Sequence, residues 1–360
     1  MAVFGVLALA ALATAHAADV PRNTESYFSN TLNSKNATDS NELHILPEAG
    51  RDIYLKAFKA ARSQIRIHIC VLEDPQILQG LKQAIDRGVR VRAIVDHGKY
   101  TSLAAERNNL GDYLQGPAAQ LHLSNPVFPR SFPKIILIDD RYFLLGSACL
   151  DTTTFNQYRD FVYRSHSPEG LKDLSRLFEN DWLYSAPPGQ AFSAYNPVSV
   201  LTDDDLLVAP INATPKLVAL FQSAKEALDV TSELLGNPIL EAELAGAAAR
   251  GVKVRLIAPE LVNGGTPEMQ ALQRDSLRKL NAAGVAVHVT RAPEGFQTPY
   301  MHARSAMVDR RVAYLGSISL SPDSATRNRG AGLILRDASV VEKLQRRFDG
   351  DFEGKSAPLN

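Results

Sequence analysis

The chain has 360 residues, of which 45% are hydrophobic and 22% charged, a composition typical of globular proteins. This length accommodates one large domain or two of ordinary size, each with its own core. Lysine and arginine together total 39, as do aspartate and glutamate, so the formal net charge is zero. The balance argues against a dedicated nucleic-acid binder, which usually carries a basic excess, but it is compatible with a local basic pocket.

The chain begins with an apolar run, residues 3–15, that is too short to span a bilayer. Ala15 and Ala17 end this run in the small-residue pattern of a signal-peptidase site, although no lysine or arginine precedes it. We therefore predict a signal peptide over residues 1–17 and a secreted or periplasmic protein; a buried N-terminal helix is the alternative. Residues 18–42, rich in asparagine, serine and threonine, are predicted to form a mobile arm. No later stretch resembles a transmembrane helix.

Two segments of the chain share one order of predicted elements. Residues 57–96 and 220–259 each read as a helix, a short strand, a turn at Asp-Pro or Asn-Pro, a second helix, and a strand after Arg-Gly-Val. Gly88 and Gly251 stand where a glycine commonly ends a helix. The chain therefore contains an internal duplication.

Each copy continues through a further helix and strand and ends in an amphipathic helix. The further helices are predicted over residues 103–114 and 267–283, and the terminal helices begin near Pro168 and Asp337. The period of roughly 165 residues is the size of a domain and too long for a solenoid repeat.

The alternation of strands and helices predicts an α/β fold made of two similar halves. The first half is predicted over residues 43–184 and the second over residues 205–355, with a linker rich in proline, glycine and serine over residues 185–204. Two like halves would pack about a pseudo-twofold axis and bring matching segments together at their interface.

One motif occurs once in each half. Its members in the first half are Phe132, Lys134, Asp139, Gly146 and Ser147, and in the second half, at identical spacing, His302, Arg304, Asp309, Gly316 and Ser317. Residues i and i+2 of a strand point to one face, so the first two members of each copy project together. A histidine beside fixed cations suits phosphodiester chemistry, because it can attack phosphorus or protonate a leaving group while the cations bind the non-bridging oxygens.

This frame resembles the H-x-K-x4-D-x6-G-S-x-N motif that the phospholipase D superfamily carries twice around one shared site. The resemblance extends from the first strand near Gln64 to the terminal helix. It implies a phospholipid or other phosphodiester as substrate and no metal or other cofactor. In that family one histidine forms a phosphohistidine and the other protonates the leaving group. A glutamate fourteen residues after each motif glycine orients the histidine of its own half.

The chain departs from the family pattern at six positions. They are Phe132 for the first histidine, Arg304 for the second lysine, Cys149 and Ser319 for the asparagines, and Asp160 and Gly330 for the orienting glutamates. Phenylalanine cannot transfer a proton, so one catalytic role is vacant. Gly330 leaves His302 without an orienting partner in its own half, and Asp160 survives in the half that has lost its histidine.

These considerations assign the candidate site. His302 is the candidate catalytic histidine, and Glu233, an acidic residue in an otherwise apolar strand, is its candidate surrogate partner. The residues expected to bind phosphate are Lys134, Arg304, Ser147, Ser317 and Asn328. We predict structural roles for Asp139 and Asp309, which end their strands at turns, and for Gly146 and Gly316. The ordinary alternatives are a core histidine, surface cations, and hydroxyls bonded to backbone.

The two cysteines, Cys70 and Cys149, lie in apolar, strand-like contexts. Export permits a disulfide between them, but two buried thiols fit the sequence equally well. So few thiols and such scattered histidines argue against a zinc site.

Three functions are compatible with these features. The first is a divergent phosphodiesterase or phosphatidyltransferase acting on a phospholipid, with peripheral membrane contact; nucleic acid is the less favoured substrate. The second is a pseudoenzyme that binds a phosphate-bearing ligand through the same cations. The third is a scaffold with a vestigial site.

Overall fold

The computed structural model describes residues 41–102, 110, 113–114, 116–197, 201–291 and 298–359. The predicted signal peptide, nearly all of the predicted arm, and most of the helix predicted over residues 103–114 lie outside the described residues. Residues 37–360 form one compact unit that contains both predicted halves.

Each half is built on one mixed sheet, and the two sheets repeat one strand order. In spatial order, the first sheet consists of β1 (Glu42–Leu46), β8 (Tyr158–Ser165), β7 (Tyr142–Gly146), β6 (Ile135–Ile138), β2 (Gln64–Ile69), β3 (Arg90–Val95) and β4 (Ala119–Leu123). The second consists of β9 (Leu206–Ala209), β16 (Arg329–Leu335), β15 (Val312–Gly316), β14 (Arg304–Val308), β10 (Ala227–Thr231), β11 (Lys253–Pro259), β12 (Ala286–Thr290) and β17 (Ala357–Pro358). The duplication predicted from the sequence is present in the fold.

Helices connect these strands. Those of the first half are α1 (Asp52–Ala60), α2 (Pro75–Asp86), α3 (His97–Ser102), α4 (Thr152–Gln157) and α5 (Pro168–Tyr184). Those of the second half are α6 (Ala213–Gln222), α7 (Pro238–Ala249), α8 (Pro267–Ala282) and α9 (Ala338–Gly354). Within the described ranges, none of these helices has the length and apolar character needed to cross a membrane.

Local sequence signals explain the boundaries of α2 and α7. The Asp74 side chain accepts hydrogen bonds from two backbone N–H groups of the first turn of α2, and Asn237 does the same for α7. A proline opens each helix, where its missing N–H costs nothing. Gly88 and Gly251 follow the helices with φ of +86° and +87°, a left-handed conformation that favours glycine.

Apolar side chains form three clusters. Two of them lie between a sheet and the helices of its own half. The third lies between the two sheets and includes Ile135 and Phe161 from the first half and Met307 and Leu315 from the second. Both faces of the central strands are therefore buried, which explains why those strands read as apolar runs rather than alternating patterns. This third cluster holds the two halves together.

Two short strands are exchanged between the halves. β5 (Ser131–Phe132) pairs with β16 of the second half, where Gly330 lies opposite Phe132. β13 (Tyr300–Met301) pairs with β8 of the first half, where Arg159 lies opposite Met301. Each motif therefore begins beside the strand that precedes the terminal helix of the other half.

Buried ion pairs reinforce the exchange. Arg159 on β8 contacts Asp351 on α9 of the other half, with 2.7 Å between Nε and Oδ2. Arg329 on β16 contacts Asp181 on α5 of the other half, with 2.7 Å between Nη2 and Oδ1. Both arginines are only 1% exposed. Removing Asp181 would leave the buried Arg329 guanidinium without its carboxylate partner, at a cost of about 3–5 kcal/mol.

A disulfide joins Cys70, just after β2, to Cys149, just after β7, with 6.0 Å between the Cα atoms. Of the two arrangements compatible with the sequence, the structure contains the bridge rather than free thiols. The cysteines are 79 residues apart, so the bridge closes a long loop and restricts the unfolded chain.

The double variant Cys70→Ser with Cys149→Ser is expected to lower the free energy of unfolding by about 2–4 kcal/mol, because the unfolded chain regains the entropy of that loop. Urea denaturation of the two proteins measures the difference. Wild-type protein unfolded in a reductant should match the variant. Equal urea midpoints for oxidised wild type and the variant would contradict a stabilising role for the bridge.

Candidate active site

Both motifs open onto one cavity of about 580 Å³ between the halves. The residues singled out in the sequence that line it are Phe132, Lys134, Glu233, His302, Arg304, Ser317, Ser319, Asn328, Cys70 and Cys149. The exchange of β5 and β13 explains why residues so far apart in sequence meet here. Asp139 and Asp309 are not among the lining residues.

His302 has an acidic partner from the other half. Its Nδ1 lies 2.8 Å and 2.9 Å from the two carboxylate oxygens of Asp160 on β8. The prediction that an orienting acid would come from the histidine's own half, leaving His302 unpartnered, is therefore wrong. Because β13 pairs with β8, the backbone N–H of His302 donates to the carbonyl of Arg159, and the next residue of β8 is Asp160.

This contact defines the chemical state of His302. Nδ1 donates to the carboxylate, so the lone pair is on Nε2, which lies 3.2 Å from Arg304 Nη1. Burial, aided by the positive charges of Arg304 and Lys134, lowers the pKa of His302 well below its usual range. The imidazole is therefore neutral at neutral pH, the form that can act as a nucleophile or base.

The second histidine–acid pair, related to the first by the duplication, is missing. Phe132 stands in place of its histidine and Gly330 in place of its acid. Gly330 lies opposite Phe132 in the β5–β16 pairing, just as β13 lies beside β8. A Cβ atom added to Gly330 would lie 2.9 Å from the side chain of Ile318, so this space is already filled. The site thus contains one complete histidine–acid pair and no remnant of the second, rather than two damaged pairs.

Ser147 holds Asp160 in place. Its hydroxyl donates to Asp160 Oδ1 and accepts from the backbone N–H of Phe161. Ser147 is fully buried and does not line the cavity, which contradicts its predicted contact with phosphate. Gly146 permits this approach, because a Cβ there would lie 2.1 Å from the Phe161 carbonyl oxygen. Burial raises the pKa of Asp160 to about 6.

Ser317 is the counterpart of Ser147 in the second half and, unlike Ser147, lines the cavity. Its hydroxyl also exchanges hydrogen bonds with the backbone of Ala331. Gly316 is close to the same residue, since a Cβ would lie 2.5 Å from the Ala331 carbonyl oxygen. Asn328 lines the cavity with a buried Oδ1 that has no hydrogen-bond partner. Asn328 and Ser317 remain predicted phosphate contacts.

Lys134 and Arg304 bring two cationic groups to one point. The Lys134 ammonium donates to the carbonyl of Ser147, and Arg304 Nη1 lies 3.5 Å from the same oxygen. Burial and the charge of Arg304 lower the pKa of Lys134 to about 7. Lys134 can therefore gain or lose its proton near neutrality, whereas a guanidinium stays charged.

Glu233 lies on the other side of the imidazole from Asp160. It forms an ion pair with Arg304, accepts a hydrogen bond from the Tyr300 hydroxyl at 3.1 Å, and lies 3.7 Å from His302 Nε2. The prediction that Glu233 orients His302 is wrong, because Asp160 occupies Nδ1. Burial opposes ionisation of Glu233, but the nearby positive charges outweigh it and keep its pKa below the usual range.

Asp139 and Asp309 bond to backbone away from the cavity. Each carboxylate accepts hydrogen bonds from three consecutive N–H groups, those of residues 62–64 and 225–227, where the chain enters β2 and β10. They are therefore well placed for a structural role, although their carboxylates hold these strand entries and not the turns that the sequence predicted.

Sequence reasoning missed the aromatic and hydroxyl surroundings of the histidine. The ring of Tyr158 lies 5.1 Å from that of His302, and its hydroxyl accepts from Asn263, whose backbone N–H donates to Tyr300. The spacing of Tyr158 and Asp160, i and i+2 on one strand, was an available signal. The rest of the cavity wall is rich in hydroxyls, contributed by Thr152, Thr153, Ser319, Ser321 and Ser324. In the described part of the chain, no cluster of histidine, cysteine or carboxylate residues could hold a metal ion.

Comparison with known sequences identifies relatives. The family described as "Cardiolipin synthase, PLD-like domain" matches residues 54–182 and again residues 217–352. An envelope phospholipase of Monkeypox virus is 26% identical over 185 residues, which cover 46% of this chain and 48% of the viral protein. The cardiolipin synthase of Geobacillus kaustophilus is 24% identical over 326 residues, which cover 82% of this chain and 62% of that enzyme. The match thus spans about half of the viral relative.

Solved structures share the fold. The phosphatidylserine synthase of Haemophilus influenzae superposes with a TM-score of 0.68 at 14% identity and covers 88% of this chain and 87% of that one. A polyphosphate kinase of Porphyromonas gingivalis gives a TM-score of 0.57 at 17% identity, covering 86% of this chain and 50% of that one. At these identities the likeness concerns the fold.

The low pKa of Lys134 predicts that anion binding depends on pH. Tungstate, a phosphate analogue, should bind most tightly below pH 7 and more weakly as the pH rises, because Lys134 loses its proton through a pKa of about 7. Isothermal titration calorimetry between pH 6.5 and 9 measures the affinity. Lys134→Arg, which stays charged, should bind with a much flatter pH profile. A flat profile for the wild type would show that Lys134 does not titrate in this range.

Proposed function

Since the chain belongs to the family of phospholipase D-like domains, we propose that it is a phosphodiesterase or phosphatidyltransferase that works through His302. The observation that carries the proposal is the complete His302–Asp160 pair beside Lys134 and Arg304. A neutral imidazole with an oriented Nδ1–H and two neighbouring cations is an arrangement that supports nucleophilic attack on phosphorus.

In the first step, the Nε2 lone pair attacks phosphorus, an N–P bond forms, and the bond from phosphorus to the leaving oxygen breaks. Asp160 accepts the hydrogen bond from Nδ1–H and stabilises the positive charge that develops on the ring. Lys134 and Arg304 stabilise the non-bridging oxygens. Asn328 and Ser317 line the same cavity and add polar contacts.

In the second step, a hydroxyl of water or of an acceptor alcohol attacks the phosphohistidine. An O–P bond forms, and the electrons of the N–P bond return to Nε2. Glu233, ionised and 3.7 Å from Nε2, is placed to take the proton of the incoming hydroxyl. Water as acceptor gives hydrolysis, and an alcohol gives transfer.

A specific observation favours a second candidate, a protein that binds a phosphate-bearing ligand without turnover. Phe132 and Gly330 stand in place of one proton-transferring histidine–acid pair. Arg304 already forms an ion pair with Glu233, which competes with a bound phosphate for the guanidinium. Loss of one member of a cooperating catalytic set commonly costs several powers of ten in rate. Turnover that depends on His302 distinguishes the enzyme from this binder.

We also propose that the protein is exported and acts at a phospholipid surface. The apolar run over residues 3–15 and the pattern at Ala15 and Ala17 support export. The disulfide between Cys70 and Cys149 supports an oxidising compartment, because such bridges are rare in the cytosol. The names of the envelope phospholipase and cardiolipin synthase relatives support a phospholipid substrate.

His302→Ala is expected to abolish turnover of bis(p-nitrophenyl) phosphate and of phosphatidylglycerol vesicles, because the nucleophile is removed. Wild-type protein quenched during turnover should carry an acid-labile phosphohistidine, detected by mass spectrometry of the peptide that contains residue 302. His44→Ala, which removes a histidine of β1 that bonds to Glu42 and does not line the cavity, is the matched control and should retain wild-type rates. Equal activity of His302→Ala and wild type would exclude this function.

Asp160→Asn should lower kcat by about 10²-fold or more, because an amide can present an N–H to Nδ1 and stabilise the wrong tautomer. Nitrogen-15 NMR of the histidine side chains reports the tautomer directly. We expect His302 to be protonated at Nδ1 in the wild type and not in the variant. An unchanged tautomer and unchanged kcat would show that Asp160 does not orient the ring.

A further inference from the structure

The two ends of the candidate site carry different side chains. The attacking and departing atoms lie roughly in line across phosphorus during displacement, so each end needs its own group. His302, held by Asp160, serves the attacking end. The duplication places Phe132 at the position that corresponds to His302, and Phe132 lines the same cavity. Any group that protonates the departing oxygen therefore belongs to another residue.

Lys134 lies at this second end of the site. In the second half, Arg304 begins β14, and its Nη1 lies 3.2 Å from Nε2 of His302, two residues before it. In the first half, Lys134 directly precedes β6, the corresponding strand, and follows Phe132 by two residues. Both cations line the cavity. By this correspondence, the Lys134 ammonium lies beside the position where a second histidine would present its nitrogen.

The Lys134 ammonium has N–H groups available for a substrate. Among the described residues, its hydrogen-bond acceptor is the carbonyl of Ser147, which Arg304 Nη1 also approaches at 3.5 Å. An ammonium has three N–H donors, so two others are available for the oxygens of a bound phosphodiester. One of them can bind a non-bridging oxygen while the other donates to the departing oxygen.

The surroundings of Lys134 make its ammonium a stronger acid than that of an exposed lysine. The residue is only 4% exposed, and the guanidinium of Arg304 lies near the same carbonyl oxygen. Burial and this like charge favour the neutral amine, against the opposing effect of carboxylates at Asp160, Glu233 and Asp151. The resulting pKa of about 7 suits proton transfer near neutral pH.

We propose that Lys134 is the general acid of the first step and takes the proton-transferring role that Phe132 cannot fill. This inference rests on the function proposed above and adds a catalytic residue to the same site. Nε2 of His302 forms the bond to phosphorus, and the P–O bond to the leaving group breaks. The departing oxygen keeps the electron pair, receives a proton from the Lys134 ammonium and leaves as an alcohol. Lys134 becomes a neutral amine.

The second step restores the starting protonation states. The acceptor hydroxyl attacks phosphorus, its proton passes to Glu233, and the N–P electrons return to His302. Nearby positive charges keep the pKa of Glu233 below its usual range, so Glu233 then releases this proton. Lys134 takes up a proton in its place. Each turnover thus begins and ends with Glu233 ionised and Lys134 protonated.

Two substrates that form the same hexylphosphoryl-His302 separate proton donation from phosphate binding. Hexyl p-nitrophenyl phosphate expels p-nitrophenolate, a weak base that departs unprotonated, whereas dihexyl phosphate expels an alkoxide, which is about as basic as hydroxide. Lys134→Arg keeps the positive charge, but a guanidinium does not give up its proton. We expect this variant to lower kcat/KM for dihexyl phosphate by about 10²–10⁴-fold, the usual contribution of a general acid, and for the nitrophenyl ester by less than about tenfold.

The ratio of the two kcat/KM values is the readout, because partial misfolding of a variant lowers both values by the same factor. Lys82→Arg is the matched control. Lys82 lies on α2, pairs with Asp86 and does not line the cavity, so its replacement should leave both values unchanged. His302→Ala provides the background for each substrate.

The other outcomes separate the inference from the proposed function. Equal losses for both substrates in Lys134→Arg would show that Lys134 only binds phosphate. A selective loss in Lys99→Arg instead would identify Lys99, which also lines the cavity, as the acid. Wild-type turnover of the nitrophenyl ester alone would show that no group protonates an alkoxide. In these three cases the inference falls, and the proposed function stands if His302→Ala abolishes turnover. If neither substrate is turned over above the His302→Ala background, both fall.

Discussion

The exchange of two short strands between the halves is the constraint on which the candidate site depends. β5 and β13 each pair with the strand that precedes the terminal helix of the other half, β16 and β8 respectively. Buried arginines at the matching positions, Arg159 and Arg329, each form an ion pair with the terminal helix of the opposite half. Because these charges are buried, separating the halves would expose or orphan them. The exchange therefore sets which residue of one half faces which motif of the other.

This constraint changes the meaning of the substitutions. If each histidine is paired with the acid of its own half, each half has lost one member of its pair. The exchanged strands instead pair the histidine of one half with the acid of the other. His302 and Asp160 then form one intact pair, and Phe132 and Gly330 occupy the two positions of the lost pair. Ser147, the last member of the first motif, bonds to Asp160, and the disulfide at Cys149 follows it and lines the same cavity. A site with one intact pair retains an oriented histidine and has phenylalanine in place of the second one, which restricts the chemistry rather than abolishing it.

Much of the fold was predictable because local signals agree with the duplication. The Asp-Pro and Asn-Pro turns cap α2 and α7, and Gly88 and Gly251 end them, as the sequence indicates. The gathering of Lys134, Arg304 and His302 also followed from the paired motifs and their resemblance to a known family. The assignments that failed concern contacts between distant segments. Glu233 bonds to Arg304 instead of orienting His302, and Ser147 holds Asp160 instead of facing the cavity.

The sequence by itself determined the α/β class, the two halves, the motif spacing and the absence of a proton-transferring side chain at Phe132. These features depend on residue identity and on periodicities that extend over a few turns or strands. Only the tertiary structure decided which acid serves His302 and whether the two cysteines are joined. Those outcomes depend on strand pairing and packing between segments more than a hundred residues apart for His302 and Asp160, and 79 apart for the cysteines. The spacing of these residues along the chain does not predict which of them meet, because they come into contact only when the two halves pack together and bury their shared core.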